Sequence, residues 1–160
     1  MQIEWNKIEW KKLIVCVAIP LAVGALSAYF SGGMNNFDSL VKPPLSPPGW
    51  VFPVVWTILY TLMGIASYLV LVSEESSMVK SNALAVYGVQ LIFNFFWSII
   101  FFRYQCYGCA FVWLLLLEVF VVLTALLFGQ IDKRAGWLMV PYIVWVAFAG
   151  YLNAGIALLN

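Results

Sequence analysis

Five stretches almost free of charge alternate with short polar segments along the chain, at 13–31, 51–72, 81–102, 109–129 and 136–159. The first would be about 28 Å long as a helix rising roughly 1.5 Å per residue, enough to cross the hydrocarbon core of a bilayer. The pattern predicts an all-α integral membrane protein, a single bundle of five transmembrane helices over residues 1–160. Residues 1–12 mix charges with Ile3, Trp5, Ile8 and Trp10 and read as an interfacial segment. Ala25-Leu26-Ser27-Ala28 offers a small-residue cleavage site. The apolar run is long for the core of a signal peptide, so the first stretch is expected to remain as a span. An odd number of spans without an internal repeat disfavours an inverted-repeat transporter of two equal halves.

The longest connector, Gly32 to Gly49, holds Pro43-Pro44 and Pro47-Pro48 behind Lys42. Proline fixes φ and has no backbone donor, so the part from Val41 onward is expected to be a stiff, polyproline-like strap, with no helix until the chain passes Gly49. Behind it Trp56, Tyr60 and Gly64 fall at i, i+4 and i+8 on one helix face. A strap feeding an aromatic face fits a lid over a pocket. It fits equally a re-entry loop before an ordinary span.

Two more spans repeat the theme. Tyr87, Gln90, Asn94 and Trp97 share a face of the third, and Tyr142, Trp145, Ala149 and Asn153 a face of the fifth; Ser67 continues the face of the second. Unpaired amides are costly in lipid, so these faces are expected to meet inside the bundle. Large aromatics beside Gly24, Gly64 and Ala149 suit a flat apolar ligand. The same residues also suit hydrogen-bonded helix–helix contact.

Composition strengthens the membrane reading: 64% of the 160 residues are hydrophobic, 18% aromatic and 9% charged. A net charge of +1 without a basic stripe argues against nucleic acid. The chain has no histidine, which removes His-ligated haem, His-containing zinc sites and Ser-His or Cys-His catalytic pairs. No phosphate-binding glycine loop or hydrolase motif is present. No metal and no cofactor are therefore expected. Lys7, Lys11, Lys12, Lys80, Lys133 and Arg134 fall on one side of the five spans, and Lys42 and Arg103 on the other. The positive-inside rule then puts the N-terminus inside and the strap and C-terminus outside.

Glu118 is the one charge within the five stretches, and a structural hydrogen bond is favoured over proton relay because no second buried acid is present. Cys106 and Cys109 form a lone C-x-x-C, too little for zinc but open to a redox role in an oxidising compartment.

Lys42-Pro43, Pro47-Pro48 and Trp56-Thr57-Ile58-Leu59-Tyr60 followed by Met63-Gly64 resemble the signature of the translocator protein family, also known as tryptophan-rich sensory proteins or peripheral-type benzodiazepine receptors. Gln90-Leu91 with Asn94 and Trp97 is similar to its third-helix motif. Pro141-Tyr142, Trp145, Ala147-Phe148-Ala149 and Leu152-Asn153 are similar to its fifth-helix motif. The resemblance implies a five-helix bundle, commonly a homodimer, with a ligand pocket closed by the first loop. The implied ligands include porphyrins such as protoporphyrin IX, cholesterol in animals, and synthetic isoquinolines and benzodiazepines. By position Trp56 and Trp145 match tryptophans implicated in porphyrin binding and in light-dependent porphyrin breakdown in bacterial members. Asn94, Trp97, Ala149 and Leu152 match pocket-lining positions, and Tyr60, Gln90 and Tyr142 lie in shared motifs.

The chain departs from the family in places. Ala154 and Leu158 replace the Tyr and Arg of the animal cholesterol motif, which puts cholesterol in doubt. Phe37-Asp38 replaces a Trp-Tyr pair, and Trp113 replaces a fourth-helix acid. Ala85 and Val89 break the small-residue pattern tied to dimer contact. The expected activity is that of a receptor, sensor or carrier in a bacterial cell membrane, binding porphyrins or other flat apolar molecules by stacking and burial. Lys42 is expected to offer its charge to a porphyrin propionate. The alternatives are light-dependent porphyrin degradation using Trp56 and Trp145, and an interaction protein acting through a partner.

Overall fold

The computed structural model describes residues 8–34 and 37–160. Most of the expected interfacial segment, including Trp5 and Lys7, lies outside these residues. Five long helices make up the fold: α1 (Trp10–Ser31), α2 (Val51–Leu71), α3 (Ser77–Ser98), α4 (Tyr107–Ile131) and α5 (Lys133–Leu159). A π-helical turn, Ile99–Arg103, extends α3. No strand occurs among the described residues. All five are long and apolar enough to cross a membrane.

Local chemistry sets the helix ends. Gly32 closes α1 in the left-handed region at φ 79°, sending its N–H back to carbonyls of the last turn. α3 begins before the expected 81 because Ser76 caps it, accepting from the Val79 N–H at 3.4 Å. α5 begins before the expected 136 because Asp132 accepts from the Arg134 N–H at 2.8 Å. Asp132 is also all that separates α4 from α5. The two helices touch at Gly129 and Gly136, where a side chain on Gly136 would run into the opposing backbone.

The helices close into a ring in the order α1, α2, α5, α4, α3. Met63, Leu117, Val121, Phe128, Met139 and Tyr142 fill its interior. Ile14 and Ile19 of α1 and Val112, Leu115, Val119 and Leu126 of α4 point outward and are exposed. Such apolar outer faces suit lipid contact rather than water. Trp10 and Trp137 are exposed at one end of the bundle, and Tyr29, Trp50 and Tyr104 at the other. These positions match the aromatic belts of a membrane protein. The chain is an integral membrane protein.

The proline strap is not one continuous polyproline segment. It reverses at Pro44 and Leu45, with Leu45 at φ 67° and the Ser46 hydroxyl donating to the Pro43 carbonyl at 2.8 Å. Two prolines in succession stiffen each arm but do not prevent a turn between them. The strap is fastened to α5. Asn160 accepts from the Val41 N–H at 3.0 Å and donates to its carbonyl at 2.9 Å. Tyr151 donates to the Pro44 carbonyl at 2.8 Å, and Pro43 sits where a side chain on Gly155 would be.

Candidate functional site

Trp56 and Tyr60 stand one turn apart on α2, so their rings stack at 5.5 Å with planes 28° apart. Trp97 of α3 approaches Trp56 to 6.5 Å, and Tyr142 of α5 meets it edge-on at 6.0 Å. α1 answers with small side chains on the facing surface: Gly24, Ala25, Ala28 and Ser31. A cavity of about 380 Å³ remains between this small-residue wall and the Trp56, Tyr60 and Trp97 rings. Phe52, Phe102 and Met34 border it toward the strap end. Small-molecule sites commonly occupy roughly 300–1,000 Å³ and are mostly apolar with a few polar groups. Gly24 is essential to the shape, since a Cβ there would collide with the Tyr60 ring. Gly64 likewise lets α2 lie against the α1 backbone at Val17.

Behind the aromatic wall lies a hydrogen-bonded cluster. Tyr60 donates to Asn94 Oδ1 at 2.6 Å, and Asn94 Nδ2 donates to the Tyr142 hydroxyl at 2.7 Å. Tyr142 donates to Gln90 Oε1 at 3.0 Å, and Gln90 Nε2 reaches the Met63 sulfur at 3.6 Å. All five residues are buried. The chain of bonds supplies each amide with the partner that lipid could not give. A second link joins Trp97 Nε1 to Asn153 Oδ1 at 3.2 Å.

The residues singled out from the sequence therefore divide. The faces of α2, α3 and α5 do meet inside the bundle. Trp56, Tyr60 and Trp97 line the cavity. Gln90, Asn94 and Tyr142 sit one layer behind it in the hydrogen-bonded cluster. Ala149 and Leu152 border a separate void of about 20 Å³, room for roughly one water. Trp97, Phe52 and Phe102 line both spaces and form the partition. Trp145 is half-buried and packs edge-on against Phe52 at 5.8 Å, so it stands one ring away from the cavity. Its Nε1 has no hydrogen-bond partner. Lys42 does not border the cavity. Its Nζ lies 4.4 Å over the Phe37 ring and 3.5 Å from Asp38 Oδ1.

Glu118 is half-buried midway along α4, with one carboxyl oxygen enclosed and unpartnered. Cys106 and Cys109 are joined as a disulfide, and Cys16 is free and buried. No cluster of potential metal ligands occurs among the described residues.

The α1 wall is what sequence reasoning underestimated. Leu21, Gly24, Ala25 and Ala28 do fall at i, i+3, i+4 and i+7, a legible face. A small-residue face usually means close helix approach; here α1 does approach Tyr60 closely at Gly24, and the rest of the face borders the cavity.

The sequence profile described as "TspO/MBR family" matches residues 16–159. The "Tryptophan-rich protein TspO" of Chlorobaculum tepidum is 39% identical over 150 residues, covering 92% of this chain and 95% of the relative. The "Tryptophan-rich sensory protein" of Cereibacter sphaeroides is 41% identical over 117 residues, 73% of this chain and 72% of the relative. The "Translocator protein" of Bos taurus is 34% identical over 148 residues, 90% of this chain and 87% of the relative.

Proposed function

Because the chain belongs to the TspO/MBR family, we propose that it is a membrane receptor or carrier that takes a porphyrin, or another flat apolar molecule, into the cavity between α1, α2 and α3. The observation behind this reading is the shape and lining of that cavity. One wall offers the stacked Trp56 and Tyr60 rings with Trp97 beside them, and the opposite wall is built mainly from the small residues Gly24, Ala25, Ala28 and Ser31, with Leu21 at its edge. A flat conjugated ligand gains stacking on the first wall and space from the second. Polar anchoring falls to Ser31 and Thr57, which also border the cavity. The Lys42 charge is engaged with Phe37 and Asp38 in this state, so a propionate contact there would require Lys42 to turn.

The void beside Ala149 and Leu152 belongs to the same proposal as an extension opened when Phe52, Trp97 or Phe102 rotates. The strap, latched on α5, serves as the lid. The proposal places the protein in a bacterial cell membrane with the N-terminus inside; the orientation is supported by Lys11, Lys12, Lys80, Lys133 and Arg134 lying at one end of the bundle, against Lys42 and Arg103 at the other. A homodimer is part of the proposal, and chemical cross-linking in intact membranes tests it.

The deciding experiment is a titration of the reconstituted protein with protoporphyrin IX in the dark, read by tryptophan quenching. Saturable quenching supports a binding site, and quenching that rises linearly without saturation overturns it. Illuminating the saturated complex separates binding from degradation: porphyrin absorbance lost only with protein present would assign photochemical breakdown. Porphyrin flux into sealed vesicles then separates carrier from sensor.

A further inference from the structure

Ligand binding in the cavity leaves the cysteine pair at the start of α4 without a role. Cys106 and Cys109 have Cα atoms 5.3 Å apart and are joined as a disulfide. Cys109 is exposed and Cys106 half-buried. Cys106 is the N-cap of α4. The backbone N–H groups of a first helical turn favour an anionic sulfur at that place. A disulfide that closes so short a loop restrains the unfolded chain less than one bridging distant segments, so stapling is a weak account of it.

The loop is also wired to the cavity. Asn153 Nδ2 donates at 2.8 Å to the carbonyl of Tyr107, which lies between the two cysteines. The same Asn153 accepts from Trp97 Nε1, and Trp97 forms the partition of the cavity. A second path runs through rings, from Tyr107 to Phe101 at 5.0 Å and from Phe101 to Trp97 at 5.3 Å. The backbone N–H of Cys106 donates to Ile100 at 3.3 Å, inside the π-helical turn.

We propose that Cys106 and Cys109 form a reversible thiol–disulfide site, exchanging with a dithiol reductant, whose state is transmitted to the cavity wall through Tyr107, Asn153 and Trp97. In the reductive direction a thiolate of the reductant attacks the exposed Cys109 sulfur. The Cys106–Cys109 bond breaks, a mixed disulfide forms at Cys109, and Cys106 leaves as the thiolate at the helix N-terminus. The second thiol of the reductant then attacks the reductant's own sulfur in the mixed disulfide and releases Cys109. Two electrons pass to the protein, the reductant leaves as its disulfide, and its two thiol protons end on Cys106 and Cys109. Without the covalent closure, the Tyr107 carbonyl is free to move, and the Asn153 amide and Trp97 indole move with it.

The proposal does not depend on any ligand, so a failure to bind porphyrin leaves its test untouched. Native protein in nanodiscs is equilibrated in mixtures of reduced and oxidised dithiothreitol, labelled with a mass-tagging maleimide, and read in parallel by indole emission. The expected result is a two-electron transition from untagged to doubly tagged protein, with buried Cys16 remaining unlabelled. A change in emission follows the same midpoint and disappears in Trp97→Phe and in Asn153→Ala. Protein with Cys106→Ser and Cys109→Ser holds its emission constant across the series. Tags that appear only after unfolding would overturn the proposal, as would tags with no change in emission.

Discussion

Tyr60 donates a 2.6 Å hydrogen bond to Asn94 while its ring faces the cavity, so one side chain belongs both to the cavity wall and to the polar cluster behind it. Replacing Tyr60 by Phe separates the two roles. The ring remains, and the Asn94 oxygen loses its donor in a buried site. Thermal unfolding should show a loss of about 1–2 kcal/mol, the cost of a stranded buried acceptor, moderated because membrane hydrogen bonds are modest. Porphyrin affinity should fall less than about threefold, under about 0.7 kcal/mol.

Gly24→Val should do the reverse. The new side chain enters the cavity and displaces the Tyr60 ring. Affinity should drop at least about tenfold, roughly 1.4 kcal/mol. Gly88→Ala is the control, because a Cβ there meets nothing within 4 Å. It should leave binding unchanged and add up to about 1 kcal/mol of stability through helix propensity.

Asn160 and Tyr151 hold the strap on α5. Removing both contacts, with Asn160→Ala and Tyr151→Phe, should accelerate ligand release about fivefold if the strap is a lid, equivalent to about 1 kcal/mol. Stopped-flow displacement measures this. An unchanged release rate would leave the strap as a connector.

Asp132 caps α5 and pairs with Arg134. The side-chain hydrogen bond from Arg134 holds its carboxyl below the usual value, against a smaller opposing effect of burial. A depressed folded-state value means the contribution is complete above the ordinary carboxylate range and fades as pH falls through the depressed value. Asp132→Ala should cost about 1 kcal/mol at neutral pH, mostly the cap because Arg134 is largely exposed. The gap between variant and parent should close on acidification. Unfolding curves at neutral pH and near pH 3 check the sign.

How far the sequence could be read follows from which forces leave a trace in it. The five spans were legible because a bilayer demands long uncharged runs. The first turns of α3 and α5, before 81 and 136, are not legible in this way, because their capping residues Ser76 and Asp132 lie in polar connectors, where caps look like any other turn. Gln90, Asn94 and Tyr142 were legible as inward-facing because lipid penalises unpaired polar groups. Their assignment to the hydrogen-bonded cluster rather than the cavity wall depends on side-chain geometry that spacing does not encode. The position of the cavity on the α1 side depends on the Trp56 ring leaning on Tyr60. Ala25 and Ala28 border the cavity there, while Gly24 lies against the Tyr60 ring itself. The π-helical turn at Ile99–Arg103 has no composition signature, although it places Phe102 beside the cavity and Phe101 beside the smaller void and against Tyr107.

The central claim is that the ligand lies on Trp56 in the α1–α2–α3 cavity, with Trp145 one ring removed. The most direct test is the protoporphyrin IX dissociation constant in the dark, measured side by side for the parent protein, Trp56→Phe and Trp145→Phe. The account predicts saturable binding that weakens about tenfold in Trp56→Phe, about 1.4 kcal/mol, and changes less than about twofold in Trp145→Phe. Equal affinities for Trp56→Phe and the parent, or a larger loss in Trp145→Phe, would contradict it and move the site toward α5.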